Sequence, residues 1–243
     1  MNNANILRFP KLESTNNYLI NNQNLDNGTI VITDNQYGGH GLGTNKWESS
    51  VNENLTFSIL LKPKALKASE QFFLNIIISL AIREYITSKK IDGCKIKWPN
   101  DIYVNDKKIC GILINNTILS NGIVSVVAGI GLNINQETFA SDAPNPISLR
   151  NITKKTYSLE KELTKVIMHI NYFYNKLETK RLSFLKEEYL KNMYRKDEFH
   201  EYIIGSKKIE AQICGIAEFG LLLLEEADGT THTCDLKEVQ YII

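Results

Sequence analysis

The chain has 243 residues, of which 43% are hydrophobic, and it carries 28 Lys and Arg against 27 Asp and Glu. This length fits one large domain, or one domain with a small appendage, and the hydrophobic content is that of a globular protein with a core. The balanced charge gives no indication of nucleic-acid or membrane binding. The longest apolar stretch, residues 72–82, is interrupted by Asn75 and is too short to span a bilayer.

The N-terminus and the cysteines bear on the cellular compartment. The first five residues lack the basic and apolar segments of a secretory signal. The four cysteines show no C-x-x-C spacing, so we expect free thiols in a reducing compartment and not a disulfide framework. The sequence therefore predicts a cytoplasmic protein.

The first part of the chain mixes short helices and strands. Ser14 supplies N-cap chemistry for a short helix, and residues 29–33 are a predicted strand. Residues 38–43 include four glycines and are a predicted loop. Residues 55–61 alternate apolar with polar or small side chains, which predicts a half-buried strand. A helix follows, with Ser69 as its expected N-cap.

Four segments in the middle of the chain are typical of an antiparallel sheet. They are residues 95–98, 102–104, 109–114 and 123–134. Asn105-Asp106 and Ser120-Asn121-Gly122, which lie between them, are good hairpin turns.

The last hundred residues change from helical to strand patterns. After a predicted loop at residues 141–146, apolar residues from 159 to 177 recur at helical spacing and predict a long amphipathic helix. A second helix is expected over residues 182–194. Beyond a charged stretch at 195–200, short strands are predicted at 208–214, 221–225, 230–234 and 239–242, with Asp228-Gly229 as a hairpin turn. These strands are typical of a small β-barrel.

The most informative segment runs from residue 97 to residue 113. It contains KWPND and, after a turn, KKICGIL. Proline within a strand removes a hydrogen-bond donor and fixes φ, so a Trp-Pro pair is a costly choice for a sheet. The surrounding lysines, amide and carboxylate suit a site for an anionic ligand and a metal better than they suit a core.

This segment resembles a strand motif of the biotin–protein ligases, which adenylate biotin and transfer it to a lysine of a carrier protein. Three further matches follow the order expected for that family. They are STN at residues 14–16, GHG at 39–41 with KWES at 46–49, and GIGLNIN at 129–135. Each match alone is weak, but four matches in order make the resemblance specific.

The resemblance implies an α/β (α+β) fold in which helices flank a mixed sheet, related to the catalytic core of class II aminoacyl-tRNA synthetases. It also implies a small C-terminal SH3-like β-barrel, so we place a catalytic biotin- and ATP-binding domain at residues 1–195 and the barrel at 196–243. Some relatives carry an N-terminal winged helix and act as repressors. Because STN lies almost at the start of the sequence, we expect the form without a DNA-binding domain and without repressor activity.

The resemblance assigns the adenylation step to Lys108, Lys97 and Asp101. Attack of a carboxylate on the α-phosphate of ATP needs positioned cations, and Lys108 aligns with the family lysine that contacts both groups. Lys97 and Asn100 would lie on the nucleotide side, and Asp101 would bind Mg²⁺. Without the motif, Lys108 would be interpreted as a solvated turn lysine beside Lys107, and Asp101 or Asn100 as a turn cap.

The resemblance also implies which residues bind biotin or ATP. They are Ser14, Thr15, Asn16, Gln36, Gly39, His40, Gly41, Trp47, Asn100, Gly111, Gly131 and Asn133. Ser14 and Thr15 would hydrogen-bond the ureido ring of biotin, although a plain helix cap also explains Ser14. Gly111 and Gly131 would let the sheet backbone approach the ligand. Asn133 would lie near ATP or serve as a satisfied structural amide.

The glycine loop would close over biotin and the acyl-adenylate and shield the anhydride from water. On its own it would be interpreted as a flexible surface loop, because it lacks the Walker A and dinucleotide patterns. It departs from the usual family pattern at His40, where Arg is frequent although His also occurs in relatives, and at Leu42, where Arg or another polar residue is common. Leu42 cannot donate a hydrogen bond, so we expect altered retention of the intermediate or compensation by Lys46.

The resulting hypothesis is an ATP- and Mg²⁺-dependent ligase that forms biotinyl-5′-AMP and biotinylates a lysine on the biotin carboxyl carrier domain of a biotin-dependent carboxylase. An exposed sheet edge could pair two copies of the chain into a homodimer. We expect neither DNA nor a membrane as a partner. Two alternatives stay open. One is a lipoate- or octanoate-type acyl ligase of the same fold, which the polar contacts at Ser14, Thr15 and Gln36 disfavour. The other is a degenerate biotin-binding module, which Leu42 keeps open.

Overall fold

A computed structural model describes residues 5–41, 43, 45–140 and 145–242. Its larger sheet consists of β1 (Ile6–Phe9), β2 (Ile30–Thr33), β3 (Leu55–Leu61), β4 (Cys94–Lys97), β5 (Asp101–Val104), β6 (Lys107–Leu119) and β7 (Gly122–Leu132). The strands lie in the order β1-β2-β3-β7-β6-β5-β4. β1 and β2 are parallel, and the other neighbours are antiparallel, so the sheet is mixed, as predicted.

Helices cover this sheet. They are α1 (Thr15–Asn21), α2 (Phe72–Thr87), α3 (Leu149–Thr153), α4 (Leu159–Glu178) and α5 (Leu182–Lys191). The main hydrophobic core joins one face of the sheet to α2, α4 and α5. A smaller cluster, centred on Leu19 of α1, packs against the other face through Val31, Leu60 and Val127.

The interior strand β3 differs from its predicted half-burial. All seven of its residues are buried. The apolar positions beginning at Leu55 face the main core, whereas Leu60 packs beneath α1. Thr56 and Ser58, which share the face of Leu60, line a cavity and are also buried. The prediction was wrong because tertiary packing covers both faces of this strand.

A second, wholly antiparallel sheet follows. It consists of β8 (Phe199–Ile204), β9 (Lys207–Ile216), β10 (Leu222–Glu226), β11 (Thr231–Cys234) and β12 (Val239–Tyr241), in the order β11-β10-β9-β8-β12. The mixed sheet with its flanking helices and this C-terminal sheet confirm the predicted fold class. Buried residues of both sheets belong to one core cluster. The division at residue 196 stays a prediction.

Several local predictions need correction. Ser69 lies in a 3-10 turn, Ala68–Glu70, and α2 begins at Phe72, preceded by Gln71. The strands β1 and β8 were not predicted from the sequence. No helix in the described ranges is both long and apolar enough to cross a membrane.

The helix predicted to extend to residue 194 ends at Lys191. The next residues run beside β4 instead. The N–H of Ile96 donates to the carbonyl of Asn192 at 2.8 Å, and the N–H of Tyr194 donates to the carbonyl of Ile96 at 2.8 Å. This segment covers the outer edge of β4, so backbone groups that a neighbouring chain would otherwise pair with are already used.

Candidate functional site

A cavity of about 680 Å³ lies where the larger sheet, α1, the glycine loop and the C-terminal sheet meet. Most of the residues predicted for the site line it. They are Ser14, Thr15, Asn16, Gln36, His40, Gly41, Trp47, Lys97, Asn100, Asp101, Lys108, Gly111 and Gly131. Gly39 and Asn133 are not among the residues that line it. The fold thus gathers four sequence-distant motifs around one space.

One end of the cavity is a network of uncharged polar groups. The backbone N–H and the hydroxyl of Thr15 donate to Gln36 Oε1 at 2.9 and 3.2 Å. The hydroxyls of Thr15 and Ser58 lie 2.8 Å apart. Ser14 caps α1, because its Oγ accepts from the Asn17 N–H at 3.2 Å. Thr15 and Ser58 are buried, so a ligand here meets fixed hydrogen-bonding groups and little water.

Asn16 closes the same end against the sheet. Its side-chain amide donates to the carbonyl of Leu113 at 3.4 Å. A Cβ placed on Gly129 would lie 2.7 Å from Asn16 Nδ2, so only glycine leaves room for this amide. Neither Gly129 nor Ser58 was predicted as a site residue, since a small residue in a buried strand gives no distinctive pattern.

The glycine loop is a narrow hairpin. His40 pairs with Lys46 in an antiparallel bridge, and the N–H of Gly41 donates to the carbonyl of Asn45 at 2.7 Å. The Trp47 N–H donates to the carbonyl of Gly39 at 3.1 Å. A side chain on Gly39 would collide with the backbone of Trp47. This explains why glycine occupies this buried position, although it does not line the cavity itself. Leu42 and Thr44 lie outside the described residues, and so does the expectation about Leu42.

Trp47 lies across two glycines of the sheet. Gly111 of β6 and Gly131 of β7 are directly opposite each other in the strand register. A Cβ on Gly131 would lie 2.2 Å from Trp47 Cε2, and one on Gly111 would lie 3.1 Å from Trp47 Cζ3. The glycines were predicted to admit a ligand, and in this structure they admit the indole. Among the described residues the buried Trp47 N–H has no hydrogen-bond partner.

The charged centre of the cavity is built on β4, β5 and β6. Lys108 Nζ lies 2.8 Å from Asp101 Oδ2, and each side chain is about one quarter exposed. Asp101 is paired in register with Lys97 on one side and with Gly111 on the other. These pairings place the carboxylate between the two lysines on one face of the sheet.

A β-bulge directs Lys108 to this face. Asp101 pairs with Gly111 and Ile102 with Cys110, but Tyr103 pairs with Lys108, so one residue of β6 is skipped. In regular alternation Gly111 and Lys108 would face opposite sides of the sheet. The bulge reverses that parity, as bulges beside functional sites often do. Ile109 and Cys110 remain in the core.

Lys97 has an unusual environment for a lysine. Its Nζ lies 4.4 Å from the ring centre of Tyr241 and 5.5 Å from that of Tyr103. Burial lowers the pKa of Lys97 below its usual value; Asp101 acts in the opposite direction, and Lys108 and Arg195 lower it further. Two lysines, Lys97 and Lys108, face the single carboxylate of Asp101 at this end of the cavity, so positive side chains outnumber negative ones there.

The Trp-Pro pair lies in the turn between β4 and β5 and not within a strand. This avoids the loss of a ladder hydrogen bond. The indole N–H of buried Trp98 donates to the carbonyl of Gly220 at 2.8 Å, and the Tyr189 hydroxyl donates to the carbonyl of Pro99 at 2.8 Å. The amide of Asn100 donates to the carbonyl of Ile112 at 2.6 Å. Three hydrogen bonds thus fix the conformation of this turn.

Asn133 ties the end of β7 to a neighbouring segment. Its N–H donates to the carbonyl of Ile109 at 3.0 Å, its side-chain amide donates to the carbonyl of Ile147 at 3.1 Å, and its carbonyl accepts from Leu149 at 3.1 Å. These bonds give Asn133 a structural role, but its buried side-chain Oδ1 has no hydrogen-bond partner among the described residues, so the alternative of a satisfied structural amide is met only in part. Its predicted contact with ATP stays a prediction.

The C-terminal sheet also contributes to the wall. The residues concerned are Val239, Gln240 and Tyr241 of β12, together with Leu236 of the turn before it. None was predicted as a site residue, because a contact between residues far apart in the sequence leaves no local pattern. The smaller sheet therefore forms part of the cavity wall.

The metal prediction concerns Asp101 alone. Within the described ranges no group of three or more His, Cys, Asp or Glu side chains could hold a metal ion, and Asp101 is the one acidic residue among those that line the cavity. A single carboxylate is not a protein-built metal cage. It does fit a Mg²⁺ ion whose other ligands are water and substrate phosphates.

The family model and the related sequences that match this chain all belong to one family. A model described as the biotin/lipoate A/B protein ligase family matches residues 8–135. The chain is 28% identical over 235 residues to the bifunctional ligase/repressor BirA of Salmonella typhimurium, covering 93% of this chain and 71% of that protein. It is 28% identical over 212 residues to the chloroplastic biotin–protein ligase 1 of Arabidopsis thaliana, covering 84% of this chain and 56% of that protein.

The likeness extends to three dimensions. The biotin protein ligase from Aquifex aeolicus in complex with biotin and ATP superposes with a TM-score of 0.79 at 27% identity, covering 97% of each chain. The apo form of an Aquifex aeolicus biotin protein ligase superposes with a TM-score of 0.76. Because the family model spans more than half of the 243 residues, this chain belongs to the biotin/lipoate A/B protein ligase family.

Proposed function

We propose that this protein is a biotin–protein ligase. It activates biotin with ATP to give biotinyl-5′-AMP and pyrophosphate, and it then transfers the biotinyl group to a lysine of a biotin carboxyl carrier domain. The observation that carries this proposal is that one cavity joins an uncharged polar network at Thr15, Gln36 and Ser58 to a cationic centre at Lys97 and Lys108. Relatives named as biotin–protein ligases, one of them solved with biotin and ATP, support it.

The polar end suits a neutral ring with its own donors and acceptors. The ureido group of biotin carries two N–H groups and one carbonyl, which complement the hydroxyls and the Gln36 amide. The dithiolane ring of lipoate offers no comparable groups and would leave the buried hydroxyls without new partners. This favours biotin over lipoate or octanoate.

The cationic centre suits adenylation. A carboxylate oxygen of biotin attacks the α-phosphorus, the bond from that phosphorus to the bridging oxygen breaks, and pyrophosphate leaves. Negative charge builds up on the phosphoryl oxygens, and Lys108 and Lys97 are held where they offset it. Asp101 orients Lys108 through the 2.8 Å ion pair. Asp101 would also hold a Mg²⁺ ion carried by the triphosphate, and this ion would neutralise charge on the leaving pyrophosphate.

The transfer step needs access for a second substrate. The ε-amine of the carrier lysine loses its proton and attacks the acyl carbon of the mixed anhydride, and AMP leaves. Trp47 and the glycine-loop hairpin lie over the sheet at this end of the cavity, where they shield the anhydride from water until the carrier arrives.

The direct test needs no carrier protein. Purified protein is incubated with Mg-ATP and biotin, lipoate or octanoate, and both pyrophosphate release and the acyl-adenylate are measured. We expect stoichiometric biotinyl-5′-AMP with biotin and only background with the other two acids. Absence of biotin-dependent pyrophosphate release would refute the ligase proposal, and equal or faster release with lipoate would reassign the substrate.

A further inference from the structure

Lys97 is a cation without a partnering carboxylate. The neighbouring Asp101 forms its ion pair with Lys108, and the described residues supply no ion pair to Lys97. The groups that face Lys97 are Asp101, Lys108, Arg195 and the rings of Tyr103 and Tyr241. A partly buried ammonium is normally stabilised by a nearby anion. Where there is none, other groups of the protein must replace the water that would solvate the charge.

Two aromatic faces supply that replacement. Nζ lies 4.4 Å from the ring centre of Tyr241, which is within the range of a cation–π contact, and 5.5 Å from that of Tyr103. Such contacts stabilise the charge without neutralising it. A carboxylate partner offsets part of a lysine's positive charge, whereas Lys97 offers its whole charge to a phosphate.

The ring of Tyr241 is itself fixed. It stacks on Tyr194 with ring centres 6.5 Å apart and meets the edge of Tyr202 at 5.2 Å. Directly after it, the carbonyl of Ile242 accepts a hydrogen bond from the Arg195 guanidinium at 2.7 Å. The C-terminal strand β12 therefore presents this ring to the cavity from a rigid support.

We propose that Tyr241 is a positioning residue for nucleotide binding, which acts by holding the Lys97 ammonium in the cavity wall as an unneutralised cation for the triphosphate of ATP. The inference rests on the proposed function for the identity of the nucleotide. It assigns the C-terminal sheet a defined task in adenylation, namely to complete the cation site from outside the larger sheet.

The chain offers a matched control at the same position. The buried Tyr241 hydroxyl has no hydrogen-bond partner among the described residues. Tyr241→Phe therefore keeps the aromatic face and loses no hydrogen bond. Tyr241→Leu keeps apolar bulk and removes the aromatic face. A trifluorinated phenylalanine at this position keeps the ring shape and weakens its attraction for cations.

The test is a double-mutant cycle read by ligand affinity. The intact protein, saturated with biotin, is titrated with an ATP analogue whose α- and β-phosphates are joined by a methylene group. We expect Tyr241→Leu to weaken the affinity by about tenfold, Lys97→Met by at least as much, and Tyr241→Phe not at all. In the Lys97→Met background, Tyr241→Leu should add nothing. Biotin affinity, measured without nucleotide, should be the same in all variants.

The outcomes separate a positioning role from a merely structural one. Additive effects in the cycle, or equal losses in Tyr241→Phe and Tyr241→Leu, would overturn the proposal. If Tyr241→Leu fails to fold, the fluorinated variant decides, because a wild-type affinity there would also overturn it. A wild-type protein that binds the analogue but releases no pyrophosphate would refute the proposed ligase function alone. One that does not bind the analogue would refute both.

Discussion

Asp101 holds Lys108 at 2.8 Å in the centre of the cavity, and the two residues face each other only because β6 is bulged at this point. The pair lies between the uncharged polar network and Lys97, which is where the proposed reaction requires the carboxylate of biotin and the α-phosphate of ATP to meet. The lysine is oriented before any ligand binds. Such preorganisation allows charge stabilisation without reorganisation during the reaction.

Removal of this lysine should abolish most of the adenylation. We expect Lys108→Ala to lower kcat/KM for biotin-dependent pyrophosphate release by about 10²- to 10³-fold. Lys107→Ala is the matched control, because Lys107 is an exposed neighbour that does not line the cavity. Equal rates for the two variants would contradict the role given to Lys108.

Trp47 requires the glycine beneath it. A Cβ on Gly131 would lie 2.2 Å from the indole, so in Gly131→Ala the ring must shift by more than 1 Å to reach ordinary contact distance. We expect bound biotinyl-5′-AMP to dissociate about tenfold faster, or more, as measured by chase with unlabelled ligand. Gly122→Ala on the same strand is the control, because its Cβ would meet no atom nearer than 3.9 Å. Wild-type retention in Gly131→Ala would show that Trp47 does not hold the adenylate.

The uncharged polar end of the cavity should determine the affinity for biotin and not the affinity for the nucleotide. Thr15→Val keeps the shape of the side chain but removes the hydroxyl that bonds Gln36 and leaves Ser58 without this partner. We expect the Kd for biotin, measured by calorimetry, to rise by about 10- to 100-fold, with nucleotide affinity unchanged. Thr29→Val should leave both affinities unchanged, because the Thr29 hydroxyl is buried without a partner among the described residues and lies outside the cavity. A parallel loss of nucleotide affinity in Thr15→Val would argue against a division of the cavity into a biotin-binding end and a nucleotide-binding end.

Glu162 stabilises the packing of α4 on α2. Its carboxylate accepts hydrogen bonds from the Tyr85 hydroxyl at 2.6 Å, from Lys165 at 2.9 Å and from Lys89. We expect Glu162→Gln to lower the free energy of unfolding by about 3 kcal/mol at pH 7, measured by denaturant titration, because it leaves a partly buried ammonium without its anion. Glu160→Gln, at an exposed position, should cost less than about 0.5 kcal/mol.

The same carboxylate gives a pH dependence with a defined sign. Burial alone would raise the pKa of Glu162, but the hydrogen bonds from Lys89, Tyr85 and Lys165 outweigh it and hold the pKa below its usual value. The stabilisation is therefore complete above the unfolded-state pKa and is lost as the pH falls through the lower folded-state value. Glu162→Gln should lack this part of the acid destabilisation. An unchanged acid limb in the variant would contradict the assignment.

Local patterns predicted much of the fold. The Ser14 cap, the apolar period of α4 and the hairpin turns around residues 105 and 121 depend on neighbours in sequence, and each appears in the structure. The strands β1 and β8 were missed because only one of their ten residues is fully buried, which leaves little alternation to recognise. The half-burial predicted for β3 failed because a distant helix covers its second face.

The candidate site was predictable only in part. Motif resemblance predicted Lys108 as a site residue, and the side chain lines the cavity, but residue parity alone would have placed it on the opposite face, because the bulge cannot be seen in the sequence. Ser58 and Gly129 are small residues in apolar strands and carry no local signal. Tyr241 is separated from Lys97 by more than half the chain, so their contact arises only when the C-terminal sheet docks.

The central claim is tested most directly by the intact mass of a purified biotin carboxyl carrier domain after incubation with this protein, biotin and Mg-ATP. We predict the gain of one biotinyl group, which is absent without ATP and greatly slowed with the Lys108→Ala variant. A carrier that stays unmodified, in a reaction that also releases no biotin-dependent pyrophosphate, would contradict the assignment as a biotin–protein ligase.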